Sequence, residues 1–361
     1  STLWSTHGSG MSEAAVAPAD RFALWWLPGA SMRREGRWHL GVPVLGTWAF
    51  LAAVLVVRAR RIPDIWFAGF DGKLAVLTLG LTLGGLLFWS WSDPTGRRPL
   101  LGPRWHSTVR SFQRNHMAVV GAWVVFAAYL LAVLAPLLAP FDPSLQGDLV
   151  RMRLAGPSAE HLLGTDQFAR DILSRMLYGA RVSLSIGLIA VAISASLGTL
   201  VGAVAGYLGG WVDSVLMRTV DVVISFPRLV LLILLVAVFQ PSIFLIVVIL
   251  GLTQWPGTAR LVRGEVLSLR EREFVQAAEV LGFSRVRILA RHLVPNALVP
   301  VIVAATLGIG NTIVLEAGLS FLGLGVQPPT PSWGTMVADG RNSLTRAWWL
   351  STFPGLAIFI T

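Results

Sequence analysis

Eight stretches of this chain are apolar over lengths that match or approach the thickness of a lipid bilayer, and this removes most of the folds open to 361 residues. A helix needs roughly 20 apolar residues to cross the hydrocarbon core. Such runs lie near 41–57, 74–91, 117–139, 182–208, 212–239, 241–259 and 297–317, and a last one begins near Trp348. With 54% apolar residues, 13% charged residues and a mean hydropathy of +0.67, the chain cannot be an ordinary soluble domain. The expectation is an all-α, polytopic transmembrane bundle. The final run reaches Thr361 too soon to cross comfortably, so the native polypeptide is expected to continue beyond it. Gly8-Ser9-Gly10 before Met11 is compatible with a vector-encoded leader, and the first apolar run starts too late for a cleavable signal peptide.

Charge gives the orientation. Segment 260–291 holds seven arginines against four glutamates, and 93–116 holds five arginines against Asp93. By contrast, 142–181 balances five arginines with five acids, and 319–347 carries only Asp339, Arg341 and Arg346. The positive-inside rule places 93–116 and 260–291 in the cytoplasm, with 140–181 and 318–347 outside. The connection within the first hairpin is itself basic (Arg58, Arg60, Arg61, Lys73), but an even number of spans still returns the N-terminus to the cytoplasm. The net charge of +10 suits anionic lipid headgroups better than nucleic acid, for which there is no basic–aromatic surface. No cysteine is present, so neither a disulfide framework nor a cysteine-ligated metal site can form.

One polar segment carries more order than a connector needs. Ser268 and Glu271 have capping-box spacing. Phe274, Ala277, Ala278 and Leu281 follow at i, i+3, i+4 and i+7, an apolar stripe on a helix expected over 269–281. Gly282 suits a left-handed stop, and a second short helical stretch leads to Pro295. Two small alanines between larger apolar residues suit a helix pressed into a groove of another protein.

The pattern Ala277-Ala278-x-x-x-Gly282, followed by Arg291-His292-Leu293-Val294-Pro295-Asn296, resembles the EAA loop of ABC-importer permeases. Three further motifs appear in the order of the dipeptide/oligopeptide/nickel family's C-type subunit. They are His161-Leu-Leu-Gly-Thr-Asp166 through Arg181, Gly206-Tyr-Leu-Gly209-Gly210-Trp-Val-Asp213 with Met217-Arg218-x-x-Asp221, and Leu319-Ser-Phe-Leu-Gly323-Leu-Gly325 through Pro331-Ser-Trp333-Gly334. The resemblance covers 117–361. It implies a type I importer permease fold of six core helices with external loop 140–181, coupling loop 260–296 and external loop 318–347. It also implies, as partners, a homologous permease, two ATP-binding subunits and an external substrate-binding protein. ATP and Mg belong to the ATPase subunits, and no cofactor is expected on this chain. In that family the coupling loop seats in the ATPase, which gives Phe274, Gln276, Ala277, Ala278, Leu281, Gly282, Arg272 and Arg285 a coupling role. The family's usual Glu is Gln276 here, so a role needing negative charge at that position does not carry over. The chain also departs at its N-terminus, which adds a cytoplasmic region (1–40), an apolar hairpin (41–92) and a basic linker (93–116).

Several residues admit two readings. Gly198, Gly202 and Gly206 form small-x-x-x-small steps, for packing within the chain or at a seam with a second permease. Arg218 and Asp221 are expected to pair along one helix. Arg228 and Glu316, charges at the edges of apolar runs, either line the translocation path or have local roles, snorkelling for Arg228 and helix-end hydrogen bonding for Glu316. Asp166, Arg170 and Asp171, with Trp333, form either a solvated face or, as the resemblance implies, a contact for the binding protein.

Enzyme chemistry finds little support. A phosphate-cradling loop needs Gly-x-x-x-x-Gly-Lys-Ser/Thr, and the sole lysine, Lys73, is followed by Leu74 with Phe67 at the first glycine position. Ser320 superficially offers a nucleophile, but all six histidines fall outside the apolar runs. The expected function is the permease subunit of an ATP-driven importer of short peptides. Nickel chelates or other small solutes are alternative cargoes, and an ion-coupled secondary transporter is the rival mechanism.

Overall fold

The computed structural model describes residues 38–59, 62–67, 70–91, 115–239 and 242–361. The expected N-terminal region 1–40 lies almost wholly outside the described residues, as does the basic linker apart from its last two positions. Among the described residues the regular elements are helical, with one isolated bridge between Thr165 and Asp171.

In chain order the helices are α1 (Trp38–Arg58), α2 (Ile62–Phe67), α3 (Phe70–Trp91), α4 (His116–Val133) and α5 (Ala135–Leu138). The long α6 (Ile172–Leu208) follows, then α7 (Gly210–Ser225), α8 (Arg228–Val238), α9 (Ile243–Arg270) and the short α10 (Glu273–Val280) and α11 (Arg285–Ile288). Last come α12 (Val294–Phe321), α13 (Trp333–Gly340) and α14 (Trp349–Ile360). Among the described residues four helical runs are long and apolar enough to cross a membrane: His116–Val133, Ile172–Leu208, Ile243–Arg270 and Arg285–Phe321. The pair α7–α8 makes a fifth if counted as one broken span.

The chain forms two compact units, Ser1–Trp123 and Val124–Thr361. In the first, α1 and α3 pack together, with Val44, Leu51 and Val54 of α1 and Ala75 and Leu79 of α3 buried at helical spacing.

The second unit is built around α6 and α9. A Cβ on Gly202 would stand 2.3 Å from the Ala259 carbonyl oxygen, and one on Gly206 2.9 Å from that of Arg263. Only glycine permits backbones so close, the device that replaces water-driven burial between helices in lipid. The glycine stripe therefore serves packing within the chain. One apolar core joins Ile186 and Ala190 of α6, Leu232 and Val236 of α8, Ile246 and Leu250 of α9 and Leu319 of α12. A second joins Ala203 and Tyr207 of α6 and Val262 and Val266 of α9 to Val275 and Ala278 of α10, with Ile288, Leu293, Ala297 and Val301 beyond.

Four boundaries differ from the sequence expectation, each for a local reason. Helix α6 begins at Ile172, inside the segment expected as loop 140–181, because Asp171 caps it by accepting from the Ser174 N–H at 2.8 Å. Its 37 residues span about 55 Å, more than a bilayer core requires. The expected single span 212–239 is broken by an 83° bend. Pro227 lacks a donor and forces Phe226 to extended backbone (φ −83°, ψ 132°), so the helix cannot pass through. Helix α9 stays helical to Arg270 rather than ending near 259, since Arg263 and Arg260 find acids on α7: Asp213 at 2.5 Å and Asp221 at 2.6 Å. Finally, Pro295 does not stop a helix. A wide π turn at Leu289–Leu293 carries α11 into α12, whose first turn accepts proline because no intrahelical donor is required there.

Candidate functional site

The short α10 is positioned by the end of α9. The Arg272 N–H donates to the Leu269 carbonyl at 3.1 Å, the backbone turns, and α10 starts at Glu273 without a side-chain cap. The expected capping box is therefore absent: Ser268 lies within α9 and Glu271 is that helix's C-cap. The other end is as the glycine suggested. Gly282 has φ +76°, its N–H donates to the Glu279 carbonyl (2.9 Å), and the Phe283 N–H donates to that of Ala278 (3.1 Å). Those two bonds are the paired closure of a Schellman stop.

Two faces result. Val275 and Ala278, three apart, are buried against α6, α9 and α12. The Tyr207 hydroxyl at the end of α6 donates to Glu279 Oε1 at 3.4 Å, and Arg270 Nη1 donates to the Tyr207 carbonyl at 3.3 Å. The opposite face is open: Phe274 is 43% exposed, Leu281 72%, Val280 88% and, on α11, Val286 77%. Ala277, Gln276, Arg272 and Arg285 are exposed with it, and Gln276 donates to the Glu271 carbonyl at 3.3 Å. Ala278 is thus a correction to the expected stripe. It belongs to the inner face, where its small side chain lets α10 sit close to the bundle.

The residues expected to meet a binding protein are interior. Asp166 accepts from the Phe168 and Arg170 N–H groups (2.8 and 2.9 Å) and from Arg170 Nε (2.7 Å), and Arg175 Nη1 stands 3.4 Å away. Asp171 caps α6 with one oxygen and meets His161 Nδ1 at 2.9 Å with the other. Trp333 is buried, donating from its indole to the Met176 carbonyl (3.1 Å) and from its N–H to Ser183 Oγ (3.1 Å). With arginines and acids matched inside one loop, the charges satisfy each other and turn inward instead of facing solvent. Arg175 Nη2 also reaches Asp339 on α13 at 3.3 Å. There, burial holds the Asp339 carboxyl above its ordinary pKa, against the opposing pull of Arg175 and Arg170.

Glu316 is likewise a joint. It is fully buried and accepts from Ser320 (2.7 Å), Ser332 (3.0 Å) and Ser183 (3.4 Å), tying α12 to α6 and to the start of α13. These contacts fit the local hydrogen-bonding role, and the Ser320 hydroxyl is directed at the carboxylate. Asp221 pairs with Arg260 on α9 rather than with Arg218 on its own helix, and Arg263 grips Asp213 with two bonds at 2.5 and 2.7 Å. Sequence reasoning missed Gln254. Its Oε1 accepts from Arg228 Nη2 (3.2 Å) and Thr312 Oγ1 (3.0 Å), joining α8, α9 and α12; a lone amide inside an apolar run was the available signal. Among the described residues no three His, Asp or Glu side chains converge as a metal site.

Comparison with known proteins agrees with this architecture. Residues 198–361 match the family described as binding-protein-dependent transport system inner membrane component, and 104–157 match the N-terminal TM domain of oligopeptide transport permease C. The chain is 42% identical over 261 residues to the dipeptide transport system permease protein DppC of Alkalihalophilus pseudofirmus, covering 71% of this chain and 84% of that protein. It is 40% identical over 281 residues to the glutathione transport system permease protein GsiD of an Escherichia coli strain, covering 76% and 92%. Such proteins are membrane channel subunits rather than enzymes and work with ATPase and substrate-binding partners. The chain therefore belongs to the family of binding-protein-dependent transport system inner membrane components, as a multi-pass inner-membrane permease subunit of an ABC importer with the type I permease fold.

Proposed function

We propose that this chain forms half of the translocation pathway of a short-peptide importer, and that α10 is the part through which ATPase subunits move it. Both relatives above are named for short peptides, a dipeptide and glutathione, which supports the same cargo class here. The partners are a homologous permease, two ATP-binding subunits holding ATP and Mg, and a substrate-binding protein. The arginine-rich 260–291 region and the N-terminus face the cytoplasm, following the positive-inside rule.

The observation that carries this reading is the two-faced character of α10. Phe274, Ala277 and Leu281, with Val280 and Val286, present an apolar surface that the described residues leave uncovered. Arg272 and Arg285 flank it for acidic partner residues, Gln276 sits on the same side, and Gly282 sets the exit angle. The inner face is fixed to three spans through Val275, Ala278 and the Tyr207–Glu279 bond. A push on the outer face therefore tilts α6, α9 and α12 together. ATP binds the closed ATPase dimer better than the open one, and that differential affinity biases the permease between inward- and outward-open states.

Replacing Ala277 by Trp should abolish peptide uptake in the assembled importer while ATP hydrolysis continues and the spans stay folded. Wild-type-like uptake at normal expression would overturn the docking assignment.

A further inference from the structure

We infer that Arg228, held in place by Gln254, is the contact for the carboxylate of the cargo inside the membrane pathway; the inference rests on the peptide-importer reading. Arg170, Arg175, Arg260 and Arg263 each meet a carboxylate within 4.0 Å. Arg228 does not. Its bond is to a neutral amide oxygen, Gln254 Oε1 at 3.2 Å, and its Nε is buried without an acceptor among the described residues. An amide oxygen can aim a guanidinium but cannot neutralise it. A cation in an apolar span with no counter-charge among the described residues is a position where an anion is to be expected, and such charges mark substrate paths.

The surroundings are built to hold this side chain rather than to let it swing to the surface. Gln254 Oε1 takes a second bond from Thr312 Oγ1 (3.0 Å), and its Nε2 lies where a Cβ on residue 308 would be 3.1 Å away, so Gly308 makes room for it. Three helices thus meet at the Gln254 amide that aims the guanidinium. Arg228 also opens α8 immediately after the 83° break at Pro227, so the free N–H groups of an 11-residue helix add positive potential at the helix end that carries it. Broken helices with an N-terminus facing an anionic cargo group are a recurrent transporter arrangement. The planar guanidinium fork matches a carboxylate, and every unmodified peptide ends in one.

The test compares uptake of dialanine and its C-terminal amide by proteoliposomes holding the complete importer with its binding protein. The binding protein is the same throughout, so a change in the acid-to-amide ratio between variants reports the permease alone. Arg228→Gln should lower that ratio about tenfold, the value of one charge-assisted contact, while the complex still assembles and hydrolyses ATP. Arg228→Lys should keep most of the preference. An unchanged ratio in Arg228→Gln, with peptide uptake intact in the wild type, would overturn this inference alone. Absence of peptide uptake in the wild type would remove the peptide reading and this inference together. An equal loss for both cargoes that tracks the phosphatidylglycerol content of the vesicles would assign the guanidinium to lipid, also overturning it. An equal loss for both cargoes in the Lys and Gln variants alike, whatever the lipid, would reduce Arg228 to a packing role and count against it.

Discussion

Residues 161–175 and 273–288 invert the usual relation between polarity and burial, and they do so in opposite directions. The first holds His161, Asp166, Arg170, Asp171 and Arg175, and all five are buried. The second holds Phe274, Val280, Leu281 and Val286, and all four are exposed. In the charged segment every ion finds a partner inside 161–175, and Arg175 adds Asp339, so the desolvation penalty is offset by short-range pairing. In the apolar segment one face rests on the bundle and the other has nothing to meet. In these two segments buried charge goes with partners close at hand, and exposed apolar surface with a face that the described residues leave open. The first region holds the fold; the second, on the function proposed above, is the surface that another chain covers.

The strongest way to break this contrast is to unbalance the charged segment. Asp166→Asn leaves Arg170 and Arg175 buried without their common carboxylate. Truncating one member of such a set costs about 3–5 kcal/mol. The expected result is a large drop in thermal stability in detergent, with protease cleavage appearing between 140 and 171. A variant as stable as the wild type would mean that the loop is solvated after all.

A smaller effect should separate neighbours on α10. Ala278→Leu forces bulk between α10 and the bundle and should destabilise by about 1–3 kcal/mol. Leu281→Ser, on the open face, should change stability by less than about 0.5 kcal/mol while still weakening association with the ATPase subunit. Thermal melts and co-purification yield distinguish the two outcomes. Equal destabilisation by both would erase the distinction between inner and outer faces.

Much of this was legible because lipid imposes a length. The apolar runs locate α4 and α12 to within a turn or two at both ends but α6 and α9 at one end each, and Gly282 announces the stop of α10. What was not legible depends on partners distant in sequence. Asp221 had Arg218 three residues away but chose Arg260, 39 residues on, because α7 and α9 cross there. The stripe Phe274, Ala277, Ala278, Leu281 was read as one face, whereas the bundle takes Val275 with Ala278; which side of a two-turn helix rests on the protein is decided by the neighbours. Glu316 admits both a pathway role and helix-end hydrogen bonding by its position, and only the fold brings Ser183 and Ser332 to it. The balanced charges of 161–175 were visible, yet a count of arginines and acids cannot distinguish a solvated loop from a self-paired one.

The subtlest consequence concerns Asp339, where the charged segment meets α13. Its carboxyl has a raised pKa because burial outweighs the attraction of Arg175 and Arg170. The native state then keeps a proton over a pH range in which the unfolded chain has already released it. For this group stability is greatest at low pH, falls as pH rises from the ordinary carboxylate value through the raised one, and is level above that. Asp339→Asn removes this slope, so the stability of the variant relative to wild type should increase with pH across that window and stay constant beyond it. The side chain is 35% exposed, so solvent screening keeps the effect small. Melting curves of both proteins across the acidic range give the sign directly. A relative stability that declined with rising pH would show that the ion pair with Arg175, rather than desolvation, governs this end of the charged segment.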